Sequence, residues 1–216
     1  MKDPREPNKK DAGFSRRAFL RGSGATAAVS ALGSMALPTV PEAEAAATPP
    51  EGVQGLGPNT VRISMTVNGR QMTTNVEPRV TLLDALRNHL DVTGCKRVCD
   101  RGTCGACTIM LDGRVVYACS MLAVEADGKV IQTAESLIND NGTIDRVPAA
   151  IAQFDASQCG FCTPGFVVAM KAVFEQNQRP TPQQVEEGLS GNICRCGTYE
   201  QMRDSIYNLC DREREG

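Results

Sequence analysis

Two groups of cysteines limit the folds and functions open to this chain more than any other feature of its sequence. The chain has 216 residues and ten cysteines. The first group is Cys99, Cys104, Cys107 and, twelve positions later, Cys119. Four thiolates are what a [2Fe–2S] cluster needs, and C-x4-C-x2-C followed by a distant cysteine is the spacing of plant-type ferredoxins. The first group therefore predicts one such cluster.

The second group consists of two close pairs that lie far apart in the chain. Its members are Cys159, Cys162, Cys194 and Cys196. Each pair falls on a turn between predicted helices, so two facing turns could hold a second [2Fe–2S] cluster. This spacing is less specific than the first, since tetrahedral zinc can use the same four thiolates. A disulfide framework is another alternative, but such closely spaced pairs make poor long-range cross-links.

Two cysteines and the only histidine fall outside both groups. We expect Cys95 and Cys210 to be small packed thiols, because free cysteine is among the most buried residue types. Cys95 could compete with Cys99 as the first ligand, although the ferredoxin spacing favours Cys99. His89 lies at a polar position of a predicted helix, where we expect it at the surface.

The first 47 residues are predicted to be a targeting segment. Ser15-Arg16-Arg17-Ala18-Phe19-Leu20-Arg21 is a twin-arginine pattern, and a Pro- and Gly-rich linker over 48–58 follows the segment. The twin-arginine route carries folded proteins, which suits a chain whose clusters are assembled in the cytoplasm. We therefore expect a periplasmic protein with no membrane span after signal removal. The net charge of -2 gives no reason to expect a nucleic-acid partner.

Residues 59–137 have the pattern of a small sheet with one helix. Alternating apolar residues predict a strand at 61–67, and Asn68-Gly69 predicts a hairpin to a second strand at 70–76. Leucines at helical spacing predict a helix from Thr81 to Leu90. Further strands are predicted at 107–111, 114–118, 121–125 and 129–132. A cysteine loop after the helix completes the β-grasp layout of plant-type ferredoxins.

Residues 138–216 have helical spacing instead. Helices are predicted at 147–156, 164–177, 182–190 and 199–211. Thr163-Pro164 and Thr181-Pro182 are typical of an N-cap followed by proline at the first helical position, and Gln184 makes the second a capping box. We therefore expect an α+β chain, in which a β-grasp ferredoxin-like domain over 59–137 precedes an all-α four-helix-bundle [2Fe–2S] domain over 138–216.

Three motifs carry a resemblance to a known family. They are Cys99-Asp-Arg-Gly-Thr-Cys104-Gly-Ala-Cys107-Thr, Gln158-Cys159-Gly-Phe-Cys162-Thr-Pro-Gly165 and Gly191-Asn-Ile-Cys194-Arg-Cys196-Gly197. In this order they resemble the small iron–sulfur subunit of the molybdenum hydroxylases, which include xanthine dehydrogenases, aldehyde oxidoreductases and carbon monoxide dehydrogenases. With the export signal, the chain is most similar to the periplasmic aldehyde oxidoreductase subunits. Val98 and Cys95 depart from the family pattern, but neither departure removes a ligand.

The resemblance implies an electron-transfer subunit of a molybdenum-dependent oxidoreductase, with no substrate site of its own. One partner subunit would carry a molybdenum pterin cofactor and another would carry FAD. The second cysteine group would hold the cluster proximal to the pterin, and the first group would hold the distal cluster that feeds FAD. The resemblance also implies that Gln158 and Cys196 approach the pterin. A stand-alone exported ferredoxin-like carrier or redox sensor and a zinc-stapled binding module are the alternatives.

Overall fold

The computed structural model describes residues 56–138 and 141–215, with side chains as far as Asp211. The predicted signal over 1–47 and most of the predicted linker therefore lie outside the described residues. Within the described ranges, no helix combines the length and the apolar character that crossing a membrane requires.

The chain enters the described region as a β-hairpin. Strand β1 spans Val61–Val67 and strand β2 spans Arg70–Val76, and Val67 pairs with Arg70 at the turn. Asn68 and Gly69 adopt φ values of 50° and 78°, which are the left-handed angles of a type I′ turn. The hairpin predicted from Asn68-Gly69 is thus confirmed.

One short helix follows the hairpin and packs against the sheet. Helix α1 begins as an α-helix over Leu82–Asp84 and continues as a π-helix over Ala85–His89. The hydroxyl of Thr81 accepts a hydrogen bond from the backbone N–H of Asp84 at 3.2 Å, which satisfies one free donor of the helix start. The inward face of the helix is fully buried, so the predicted leucine pattern does mark the core side.

Three further strands complete a five-stranded mixed sheet. They are β3 (Thr108–Leu111), β4 (Arg114–Tyr117) and β5 (Val130–Gln132). The strand order is β2-β1-β5-β3-β4. Strands β1 and β5 run parallel, and the other neighbours are antiparallel.

The strand predicted at 121–125 is wrong. Ala123–Ala126 forms a 3₁₀ helix instead. Ala123 and Ala126 are both fully buried, which is a period of three, whereas a half-buried strand would bury every second residue. The Glu125 carboxylate also accepts a hydrogen bond from the Leu122 N–H at 2.8 Å, which closes the turn.

Four helices form the second half of the described chain. They are α2 (Arg146–Gln153), α3 (Thr163–Gln176), α4 (Pro182–Gly188) and α5 (Tyr199–Glu215). Helix α2 ends before the predicted 156, because Asp155 takes a left-handed φ of 50°. Thr181 and Gln184 form the expected capping box at the start of α4, whereas α3 begins at Thr163 itself and Cys162, rather than the predicted Thr163, is its N-cap residue. The helical character of this half is thus confirmed, whereas its description as a four-helix bundle stays a prediction.

Two hydrophobic cores underlie this arrangement. One core lies between the sheet and α1, and the other lies among the four later helices. A small cluster of Met110 on β3 with Val168 and Ala172 on α3 joins the two. The packing of α3 on β3 therefore brings the loop before β3 close to the turn before α3. The predicted boundary between residues 137 and 138 stays a prediction.

Candidate functional site

The first cysteine group lies on a loop between α1 and β3 and on the short helix after β4. The loop turns sharply because Asp100, Gly102 and Gly105 adopt left-handed φ values of 55°, 69° and 71°. This path points backbone donors at sulfur. The Gly102 N–H donates to Cys119 Sγ at 3.2 Å, and the Thr103 N–H donates to Cys99 Sγ at 3.4 Å. Backbone N–H groups aimed at cysteine sulfur are what iron–sulfur clusters use to tune their potential.

The four thiols of the first group form two contacting pairs. The Cys104 thiol hydrogen-bonds to Cys99, and the Cys107 thiol hydrogen-bonds to Cys119. Backbone N–H groups, first that of Arg101, lower the pKa of Cys99 from 9.0 to about 6. Burial raises the pKa of Cys107 to about 12. The lowered pKa of Cys99 favours the thiolate form that metals bind.

The second cysteine group lies on two facing turns. Cys159 and Cys162 immediately precede α3, while Cys194 and Cys196 lie between α4 and α5. The Cys194 loop is held in place by α5, because the Tyr199 hydroxyl accepts a hydrogen bond from the Cys194 N–H at 2.8 Å.

The thiols of the second group also form two pairs, and both pairs cross between the turns. The Cys196 thiol hydrogen-bonds to Cys159, and the Cys162 thiol hydrogen-bonds to Cys194. Burial acts to raise the pKa of Cys194, but hydrogen bonds from Thr198 and its neighbours outweigh it and lower that pKa to about 7. The Thr198 hydroxyl lies 3.2 Å from Cys194 Sγ. Burial raises the pKa of Cys162 to about 12.

This pairing fits a diiron group. A [2Fe–2S] cluster shares four thiolates between two irons, so each iron takes two of them. Pairs of contacting thiols, with backbone donors directed at their sulfurs, suit that division better than a tetrahedral zinc site, in which four sulfurs surround one ion at about 2.3 Å.

The two groups differ in how they meet the surface. In the first group Cys107 and Cys119 are buried and the other pair is half-buried, whereas in the second group Cys159 and Cys196 are both exposed. Exposed apolar side chains lie close in sequence to the cysteines of the second group. Phe161, Ile193 and Tyr199 are each about half exposed, at 52%, 50% and 49%. An exposed apolar surface of this kind is typical of an interaction site.

Backbone and side-chain hydrogen bonds join the two cysteine groups directly. Ile193, the residue before Cys194, donates its N–H to the carbonyl oxygen of Cys104 at 2.9 Å. Asn192 is buried, and its amide donates to the carbonyl of Gly105 at 2.9 Å and to the Thr108 hydroxyl at 3.3 Å. The turn that carries the second group is therefore fastened to the loop that carries the first.

A fourth bond comes from strand β4. Tyr117, at the end of β4, donates its hydroxyl to the carbonyl of Gly191 at 2.9 Å. Tyr117, Asn192 and Thr198 were not among the site residues that the sequence predicted. The place of Asn192 inside the Gly191–Gly197 motif was a sequence signal that could have identified it. Nothing in the strand pattern marks Tyr117.

The remaining predicted residues lie where their chemistry suggests. Cys95 is buried, with its Sγ 3.8 Å from the Val92 carbonyl. Cys210 is buried in the helical core. His89 and Gln158 are exposed, and Gln158 adjoins the exposed edge of the second group.

Two family models match the chain and together cover most of its described part. Residues 65–136 match the 2Fe-2S iron-sulfur cluster binding domain. Residues 133–207 match the [2Fe-2S] binding domain.

Curated relatives cover the same region. The nicotine 6-hydroxylase small subunit of Paenarthrobacter nicotinovorans is 43% identical over 148 residues, which are 68% of this chain and 88% of that subunit. The aldehyde oxidoreductase iron-sulfur-binding subunit PaoA of Escherichia coli K12 is 34% identical over 211 residues, which are 91% of this chain and 88% of that one.

Solved structures have the same fold. A chain of quinoline 2-oxidoreductase from Pseudomonas putida 86 superimposes with a TM-score of 0.67 at 38% identity, over 73% of this chain and 98% of that one. Aldehyde oxidoreductase from Desulfovibrio gigas gives a TM-score of 0.66 at 33% identity, over 72% of this chain and 17% of that longer chain.

Proposed function

Because the chain belongs to the iron–sulfur subunits of the molybdenum hydroxylases, we propose that it relays electrons from a molybdenum pterin cofactor on one partner subunit to FAD on another. The chain is itself a non-catalytic subunit. Its relatives include the nicotine 6-hydroxylase small subunit and the aldehyde oxidoreductase subunit PaoA. An aldehyde oxidoreductase or xanthine dehydrogenase type of complex is the assembly that we propose.

Two sets of four thiolates would hold the two [2Fe–2S] clusters. The first set is Cys99, Cys104, Cys107 and Cys119, and the second set is Cys159, Cys162, Cys194 and Cys196. Each cluster, when bound, can accept and release one electron. The contacting pairs and the backbone donors around them support this assignment. The β-grasp and four-helix-bundle descriptions of the two halves belong to the same proposal.

The residues of this chain position the two sites for a relay. The second site has an exposed edge at Cys159 and Cys196, with Gln158 beside it, so this edge is the one that can approach a cofactor on another subunit. The exposed apolar side chains close to these cysteines in sequence would exclude water from the contact. The first site lies on the other side of the Asn192 turn and would face the FAD subunit.

The observation that carries the proposal is the direct bond between the two cysteine loops. The Ile193 N–H donates to the Cys104 carbonyl at 2.9 Å. Cys104 belongs to the first set of ligands, and Ile193 directly precedes Cys194 of the second set. A relay needs two sites held at a short and constant separation. A stand-alone carrier would need neither the second site nor this connection.

A test uses the assembled complex. We expect the wild-type chain to co-purify with a molybdenum subunit and an FAD subunit, and we expect an oxidisable substrate such as an aldehyde to bleach the visible absorption of both clusters and of FAD. Cys162→Ser should keep the partners but stop FAD reduction by substrate. Cys95→Ala, outside both sets, is the matched control and should behave as wild type. A wild-type chain that purifies without partner subunits and is fully active as an electron carrier contradicts the proposal.

Export to the periplasm is part of the proposal. Its support is the twin-arginine pattern at Arg16 and Arg17. Replacing both arginines by lysine should leave the protein in the cytoplasmic fraction with its clusters intact. Equal amounts of the wild-type and doubly substituted proteins in the periplasm would contradict this localisation.

A further inference from the structure

Tyr117 stands out among the side chains that the relay described above does not use. It is the last residue of β4 and lies two residues before Cys119. Its hydroxyl donates to the carbonyl of Gly191, three residues before Cys194, at 2.9 Å. The bond spans 74 residues of sequence, so one phenol connects the strand beside the first cysteine set with the turn that leads into the second.

Gly191 is fitted to this tyrosine. A Cβ atom placed on Gly191 would overlap the Tyr117 hydroxyl oxygen, and it would lie 3.3 Å from the ring carbon that bears the hydroxyl. Gly191 is not among the glycines with a left-handed φ, so alanine is compatible with its backbone conformation. The close approach of the phenol therefore explains why a glycine stands at this position.

The hydrogen bonds that hold the turn involve three of its residues. Gly191 receives the Tyr117 hydroxyl, Asn192 donates its side-chain amide, and Ile193 donates its backbone N–H to the Cys104 carbonyl. The tyrosine bond fastens the turn to the end of β4, whereas the second bond of the Asn192 amide reaches the Thr108 hydroxyl at the start of β3. The tyrosine bond can also be removed by deleting a single oxygen atom, because Tyr117→Phe keeps the ring.

We infer that Tyr117 is a positioning residue for electron transfer between the two iron–sulfur sites, and this inference rests on the proposed relay. The hydroxyl holds the Gly191–Ile193 turn against the cysteine loop, and thereby fixes the separation of Cys194 from Cys104. An electron that passes from the second site to the first oxidises one iron and reduces another, and no bond is formed or broken. The residue acts on the geometry across which that electron passes.

The experiment compares four full-length chains loaded with iron and sulfide. They are the wild type, Tyr117→Phe, Gly191→Ala and the double variant, with Tyr207→Phe as the matched control. Tyr207 lies on α5 and is 48% exposed, so it loses the same atom away from the site. The readout is the electron paramagnetic resonance spectrum of fully reduced protein, in which two nearby paramagnets split each other's signals.

We expect splitting in the wild type and in Tyr207→Phe, and its weakening or loss in Tyr117→Phe at unchanged iron content. Gly191→Ala should lose the splitting too, because its methyl group displaces the hydroxyl. The double variant should unfold at a higher denaturant concentration than Gly191→Ala, because the overlapping oxygen is gone. Should Tyr117→Phe bind less iron, the Gly191→Ala spectrum decides, since that chain keeps its tyrosine.

Two results separate this inference from the proposed function. If the splitting is unchanged in Tyr117→Phe and Gly191→Ala, the positioning role alone is overturned. The same holds if the wild type shows two signals without splitting. A wild-type protein without two iron–sulfur signals overturns the relay and the inference together. Loss of splitting in Tyr207→Phe as well would show that the effect is not specific to the turn, and would likewise overturn the inference.

Discussion

The backbone N–H of Ile193 lies 2.9 Å from the carbonyl oxygen of Cys104 and donates a hydrogen bond to it. Cys104 belongs to the first cysteine set, and Ile193 directly precedes Cys194 of the second set. One hydrogen bond thus joins two cysteine loops that the sequence separates by about ninety residues. Because this bond uses only backbone atoms, its geometry depends on the side chains and glycines around it, and those can be substituted.

The glycine at position 105 is expected to be indispensable for this contact. It has a φ of 71°, and a Cβ there would lie 2.6 Å from both the Asn192 amide nitrogen and the Gly191 carbonyl oxygen. Gly105→Ala should lower the guanidinium midpoint for loss of visible absorption. Gly113→Ala is the control, because Gly113 has a φ of 77° but no neighbour within 4 Å. It should cost only the left-handed strain of about 1–2 kcal/mol. Equal midpoints for the two variants would contradict the close-contact argument.

Asn192 is expected to stabilise the joined loops. Asn192→Ala removes donors to Gly105 and Thr108 in a buried setting, and an unsatisfied buried polar group costs about 1–3 kcal/mol. The measurement is the guanidinium midpoint of the holoprotein. Asn88→Ala is the control, because Asn88 is exposed and bonds only to the nearby Asp84 among the contacts described. A loss for Asn88→Ala as large as that for Asn192→Ala would argue against a specific role.

The first ligand of the first set is expected to be Cys99. The Thr103 N–H is directed at Cys99 Sγ, whereas Cys95 points into the core towards the Val92 carbonyl. Cys99→Ser should lose about half of the bound iron and one of the two paramagnetic signals. Cys95→Ala should retain both. The reverse result, in which the Cys95 variant loses the signal, would assign the ligand to Cys95.

Cys95 should also make the stability of the protein depend on alkaline pH. Burial, with Glu135 adding to it, raises the pKa of this thiol from 9.0 to about 11. An acid whose pKa is raised on folding keeps its proton in the native state while the unfolded chain loses it. Its contribution is therefore complete below pH 9.0 and is lost as the pH rises to about 11. Unfolding midpoints of the wild type and of Cys95→Ala should differ by a constant amount below pH 9.0 and converge above it. A difference that stays constant to pH 11 would refute the burial effect.

Local patterns predicted the elements that depend on neighbouring residues. Asn68-Gly69 predicted the first hairpin, and Thr181-Pro182 with Gln184 predicted the start of α4. Spacing also predicted which eight cysteines form two groups. The hairpin and capping signals lie within a few residues of the features that they specify.

Features that depend on distant residues could not be predicted from such patterns. The segment 121–125 has the composition of a strand, but its alanines pack inward as a 3₁₀ helix once α1 and the sheet surround them. The bond from Tyr117 to Gly191 joins residues that lie 74 positions apart in the sequence. The geometry between the two cysteine sets is therefore a property of tertiary packing.

The central claim is that two separate sets of four thiolates hold two iron–sulfur clusters. The measurement that tests it most directly is electron paramagnetic resonance of the reduced full-length protein, combined with analysis of iron and acid-labile sulfide. We predict two distinguishable signals and about four irons and four sulfides per chain. A single signal with half that iron, or a colourless protein that contains zinc, would contradict the account.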